Sequence, residues 1–185
     1  MTFSDVYNAY FEHQAINHPD LLHDPASGQR AFAIISLEEA LGDFRSGAKA
    51  KGPIMRLIEY SYTASDFGAH EVRKRIEGGF IIAHYHSARA GGSDGYLDAM
   101  VASERIVDEI VEKMIGDSKA GHPLFYYSLS SRQDFTVNPT RFIGDACYSG
   151  YICLFSFSNY FRACPDGEGA PAWLDGGVTP HNLLG

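Results

Sequence analysis

From Tyr151 to Phe161 the sequence runs with a period of two. Tyr151, Cys153, Phe155, Phe157 and Phe161 fall on one side, and Ile152, Leu154, Ser156 and Ser158 on the other. Side chains alternate across a β-strand, so one face here is aromatic throughout while the second turns polar halfway. Such a strand fits the middle of a sheet, with one face covered by a helix and its far end approaching solvent or a partner.

A helix able to cover it lies upstream. Residues Tyr96–Ile115, with Ser93 or Asp94 as N-cap and Gly116 near the end, read as the longest helix of the chain. At about 100° per residue, Asp98, Arg105, Glu109, Glu112 and Lys113 gather on one arc. Ala99, Met100, Ile106, Val107, Ile110, Val111 and Met114 fill the opposite one. Leu97, Val101 and Ile115 widen the apolar arc among Glu104 and Asp108, beyond what a helix lying on one sheet needs. The surplus is covered either within the chain, by a loop or the first helix, or by a neighbouring subunit. Leu97, Val101 and Ile115 are therefore candidate interface residues.

The remaining elements follow from caps and breakers. Ser4 to Asn17 reads as a helix stopped by His18-Pro19-Asp20, and Asp24–Gly28 as a turn. Ala31–Ile35 is a short apolar strand. Ser36-Leu37-Glu38-Glu39 is a capping box that opens a short helix to about Phe44. Ile54–Tyr62 alternates as a strand. Glu71–Ile76 and Gly79–Ser87 read as two strands, or one bent strand with a bulge or turn at Gly78-Gly79. Leu124–Phe135 and Arg141–Ile143 read as strands flanking a turn at Asn138-Pro139. The expected fold is one α+β domain over residues 1–161. It has a mainly antiparallel sheet, one long helix packed on it and an N-terminal helix. Residues 162–185, with prolines at 165, 171 and 180, read as an extended C-terminal arm. Trp173, the only tryptophan, and Leu174 are its expected anchor on an adjacent subunit.

Charge and motifs narrow the function. The net charge of −8 is spread evenly along the 185 residues, and an even acidic field disfavours binding to a phosphate backbone. No apolar run reaches the roughly 18 residues of a membrane span, and the opening residues lack the pattern of a secretory signal. Three cysteines without a Cys-x-x-Cys pair fit reduced thiols in a cytoplasm, with Cys153 as a core residue. The Gly91–Gly95 and Gly47–Gly52 segments lack the lysine and the spacing of phosphate-binding loops. No nucleophile elbow or zinc-protease helix is present, so neither a catalytic group nor a cofactor is assigned. His84 and His86 are the best metal-ligand candidates, because residues two apart on a strand share a face. A third ligand is conceivable at His70, Glu71 or His122. His13, His18 and His23 read as surface residues. The aromatic segments Phe125-Tyr126-Tyr127 and Tyr151–Phe161 are possible pocket walls, though core packing explains them more simply.

The order of elements over residues 54–161 resembles small tail and neck proteins of bacteriophages and related contractile systems, above all the tail-terminator type. The segments that carry the resemblance are Gly78–Ala83, the single long helix Tyr96–Ile115, Arg141–Asp145 and Ser149–Phe157. The resemblance implies a non-enzymatic virion protein, made in the host bacterial cytoplasm and assembled as a homo-oligomeric ring, commonly a hexamer. Such a ring caps the tail tube and joins neck or head-completion proteins. It has no specific nucleic-acid or membrane partner. A small metal-dependent enzyme or metal-binding domain centred on His84 and His86 is the competing expectation.

Overall fold

A computed structural model describes residues 2–41, 52–66, 72–86, 92–125, 127–142 and 148–159. Helix α1 (Phe3–Asn17) begins one residue before the expected Ser4, because Thr2 caps it. The Thr2 hydroxyl accepts the Asp5 N–H at 3.2 Å, and the Asp5 carboxylate accepts the Thr2 N–H at 2.6 Å. The helix stops at His18, ahead of Pro19, as expected. Strand β1 (Phe32–Ile35) leads into α2 (Leu37–Leu41), where Ser36 and Glu39 form the expected capping box. The expected continuation of α2 to Phe44 lies outside the described residues.

Strands β2 (Ile54–Asp66) and β3 (Val72–Tyr85) form a long antiparallel hairpin. Gly78-Gly79 neither turns the chain nor bulges; β3 is a single strand through both glycines. The irregularity sits opposite, in β2, where one extra residue intervenes between Ile58 and Ser61. Helix α3 (Gly92–Lys119) runs through Gly116, since one glycine inside a helix costs only about 1 kcal/mol and does not by itself end it. The chain then turns at Gly121 (φ 80°) and His122-Pro123.

The expected strand Leu124–Phe135 does not form. Tyr127 takes a left-handed conformation (φ 63°), and the segment is tied down as turns. The Leu129 N–H donates to Ser118 Oγ at 3.0 Å, and Asn159 Nδ2 donates to the carbonyls of Pro123 and Leu124. Leu124, Phe125 and Leu129 are buried, so the apolar run reflects core packing and not a ladder. Strand β4 (Phe135–Phe142) instead passes straight through Asn138-Pro139, and β5 (Tyr148–Asn159) closes the sheet. Proline is tolerated because β4 is an edge strand.

The sheet order is β1-β2-β3-β5-β4, parallel only between β1 and β2. This is the expected α+β fold with a mainly antiparallel sheet. Helices α1 and α3 share one face, called here the near face. There Tyr7, Phe11, Phe80, Phe125, Phe155 and Phe157 join Ile106, Val107, Ile110 and Met114 in the main core. A smaller aliphatic cluster of Ile54, Ile58, Ile81, Ala83 and Tyr148 lies on the far face, flanked by Ile35 and Ile152.

Candidate functional site

The long helix turns most of its apolar residues into its own sheet. Ile115 is 6 % exposed and packs in the main core, so it is covered within the chain and cannot present the expected interface. Leu97 and Val101 behave differently. They lie one turn apart on the solvent side of α3 and are 55 % and 66 % exposed. Trp173 and Leu174 fall outside the described residues.

His84 and His86 share a face, as the strand period requires, but different serines hold them. His84 Nδ1 lies 2.9 Å from Ser103 Oγ of α3. His86 Nε2 lies 2.8 Å from Ser149 Oγ of β5, and its ring meets the Tyr96 ring edge-on. Burial lowers the His84 pKa, with Asp20 raising and Arg105 lowering it further. Each imidazole is thus used by a neighbouring hydroxyl, and no third ligand converges on the two among the described residues.

Among the described residues, the metal-type donors that do converge include His18, which the sequence places on the surface. His18, Asp20 and Glu109 bring their donor atoms within 4.8 Å of one another. The His18 side chain is only 9 % exposed, and its Nε2 lies 3.0 Å from Glu109 Oε2. Two features set this cluster against a cation, although His18 Nε2 is buried and makes no hydrogen bond. The Asp20 N–H donates to His18 Nδ1 at 3.2 Å, which places the proton of the neutral ring on Nε2, where a metal would need the lone pair. Arg105 already supplies the positive charge, 2.8 Å from Asp20 and 3.8 Å from Glu109. His23, also expected at the surface, is buried at 5 % exposure between α1 and β1. Its Nδ1 accepts the Phe32 N–H at 3.3 Å. A signal for part of this was present in the sequence: His-Pro occurs twice, at His18 and at His122, each time just after a helix. His122 Nδ1 accepts the Leu124 N–H at 3.2 Å in the same manner.

Of the aromatic segments considered as pocket walls, Tyr126 and Phe161 lie outside the described residues, Tyr127 is 66 % exposed, and the buried rings pack on one another. Phe125 packs edge-on against Tyr10 and Phe157, and Phe155 stacks on Phe11. An open groove of about 440 Å³ lies elsewhere, between α1 and the end of β1, lined by Ser4, Asn8, Ile34, Glu59 and Tyr60. Cys153 is a free, buried thiol; burial pushes its pKa up to about 12, which leaves it unreactive at neutral pH. No helix among the described residues is long and apolar enough to cross a membrane. No protein-family model matches the chain, and no curated protein matches it in sequence.

Proposed function

We propose that the protein is a non-enzymatic structural subunit of a phage-like tail. It assembles as a ring, a hexamer by resemblance, at the tail end or neck, where it joins or terminates the tail tube. Leu97 and Val101 are the observation that carries this reading: two branched apolar side chains exposed on a helix whose other large aliphatic side chains, from Met100 to Ile115, are buried. Exposed single apolar residues are ordinary, but a pair one turn apart makes a knob that a second subunit can cover. The resemblance in element order adds the expectation of where the ring sits. Its partners are then copies of itself, the tail tube and the neck or head-completion proteins, and its place is the virion.

The test is mass measurement of the purified protein, together with a search for it in purified tail particles. The expected result is a ring-sized species in one or both. A chain that stays monomeric at high concentration and is also absent from particles overturns the reading. Replacing Leu97 and Val101 together by aspartate should shift the assembly midpoint upward about tenfold or more in concentration while the fold is retained.

A further inference from the structure

An outer strand that lacks a neighbour offers a row of unpaired N–H and C=O groups, and proteins defend such edges with proline, lysine or bulges. The two outer edges of this sheet differ in that defence. Backbone polarity can be followed strand by strand. The Met55 N–H donates to Ala31 O across the edge towards β1 at 2.8 Å, so Ile54 and Arg56 direct their backbone groups at β3. Carried through the alternating pairs of β3 and β5, this parity directs Thr136, Asn138 and Thr140 at β5. Phe135, Val137 and Pro139 are then directed outward. The missing N–H of Pro139 therefore interrupts the free edge of β4.

The other edge has no proline, and its bulge lies at residues 59–60, at the foot of the stretch that follows. β1 pairs with β2 only from Met55 to Ile58, so residues 59–66 of β2 have no outer partner among the described residues. The extra residue of the bulge shifts the parity. Ser61 and Thr63 then pair inward with Glu77 and Arg75, and Tyr62 and Ala64 direct their N–H and C=O outward. The stretch Ser61-Tyr62-Thr63-Ala64-Ser65 carries no charge and no proline, and Tyr62 is 56 % exposed. The open groove lined by Ser4, Asn8, Ile34, Glu59 and Tyr60 lies at the foot of this edge, where β1 leaves off.

We propose that the free edge of β2, Tyr60–Asp66, accepts the 160–185 segment of a second copy of this chain as an added strand, with the Trp173 side chain in the adjoining groove. The inference rests on the self-assembly proposed above. The occupant is argued from where the chain leaves the sheet. Asn159, Lys74 and Ala64 stand in one cross-strand row, so β5 delivers residue 160 at the level of the free edge. At about 3.3 Å per extended residue, the segment reaches up to roughly 80 Å, far beyond the ~5 Å spacing of strands. The self-assembly proposed above supplies a neighbour's segment as the occupant; a segment returning to its own edge would pass over β3 and β2, and the label test below separates the two. Backbone pairing supplies affinity that depends little on sequence, and the groove supplies a site for a side chain. Trp173 suits it: an indole buries about 150–250 Å² and offers one N–H, for which Glu59 and Asn8 in the groove wall carry acceptors.

A photo-crosslinking residue of aromatic shape, p-benzoylphenylalanine, placed at Tyr62 of the full chain tests this. Equal amounts of nitrogen-15-labelled and unlabelled protein are mixed, irradiated and digested. The expected product joins residue 62 to a peptide within 160–185, with mixed labels. Same-label links only, links to another part of the chain, or no link overturn the proposal. In the unmodified full chain, Ala64→Pro removes one outward N–H and Trp173→Ala removes the anchor. Each should raise the concentration for half-assembly about tenfold, with the circular dichroism spectrum unchanged. Assembly of both at the wild-type concentration also overturns it. A chain that exchanges its segment in this way yet is absent from tail particles would defeat the proposed function alone.

Discussion

On the near face of the sheet, Phe80, Phe155 and Phe157 meet Tyr7, Phe11 and Phe125; on the far face, Ile54, Ile58, Ile81 and Ala83 meet one ring, Tyr148. The near face must fill the space between a sheet and two helices, which takes long side chains. The far face uses short ones, and glycine as well: at Gly150 an added Cβ would lie 1.9 Å from Ile82 O and 2.7 Å from Ala83 Cα. Stability on the two faces therefore rests on different quantities, ring volume on one and close backbone approach on the other. The sharpest way to break the comparison is Gly150→Ala. The clash is with backbone, which no rotamer change relieves, so β3 and β5 must separate locally. The expected loss is about 4 kcal/mol or more, read as a urea unfolding midpoint or as failure to accumulate folded protein. A normal midpoint would mean that the two strands tolerate a wider spacing.

Large-to-small changes come next. Phe11→Ala removes a fully buried ring that touches Tyr7, Tyr10, Phe80 and Phe155, and should cost about 3–5 kcal/mol. Ile81→Ala on the far face should cost about 2–3 kcal/mol, since it leaves a smaller cavity. Equal losses, measured by denaturant titration of both variants, would show that the far face bears as much load as the near one.

A smaller effect isolates one contact across the bulge. The Tyr7 hydroxyl donates to Ile58 O at 3.2 Å, and an added Cβ on Gly78 would come within 2.5 Å of that hydroxyl. Tyr7→Phe alone should cost about 1 kcal/mol for the lost buried hydrogen bond. In a Gly78→Ala background the same change should cost less, because it also relieves the clash, and a double-mutant cycle reads the difference. Additive losses would mean that the glycine answers to Phe155, whose ring lies 3.0 Å from the same Cβ position.

These contacts also mark what the sequence could and could not reveal. The period-two pattern of β5 and the apolar arc of α3 were legible, because both record burial at one fixed repeat. Gly116 and Leu124–Leu129 show the limit of such local signals. Local signals name a stop or a strand, but the rest of the chain decides: α3 continues through Gly116, and Ser118 and Asn159, 11 and 35 residues from the groups they bond, hold the 124–129 segment as turns. Asn138-Pro139 signals a turn locally, but the tolerance of Pro139 within β4 depends on standing at a sheet edge, a property of strand order and not of local sequence. Among the site residues, the shared face of His84 and His86 followed from spacing alone. Their serine partners, and the ion pairs of Arg105 with Asp20 and Glu109 beside His18, join segments up to 91 residues apart, counted from His18 to Glu109, and only the His18-Pro19 step leaves a local trace.

The last expectation is the smallest and concerns the near-face histidines. Burial lowers the pKa of His84 and of His122, the latter with Asp117 raising and Lys113 lowering it further. In the unfolded chain a histidine titrates near pH ~6.5. Above that value both states are neutral and the groups contribute no pH dependence. As pH falls through it, the unfolded state takes up protons first, so stability declines until the lower folded-state pKa is reached and then levels. The two residues should differ in size of effect. His122 Nδ1 accepts a backbone N–H from Leu124, which a protonated ring cannot do, whereas the Ser103 hydroxyl beside His84 can turn and accept from a protonated Nδ1. Urea midpoints measured from pH 7.5 to 5 should therefore fall less steeply in His122→Asn than in the wild type, with a weaker flattening in His84→Asn. Identical slopes in all three proteins would place the acid sensitivity on carboxylates instead of on these rings.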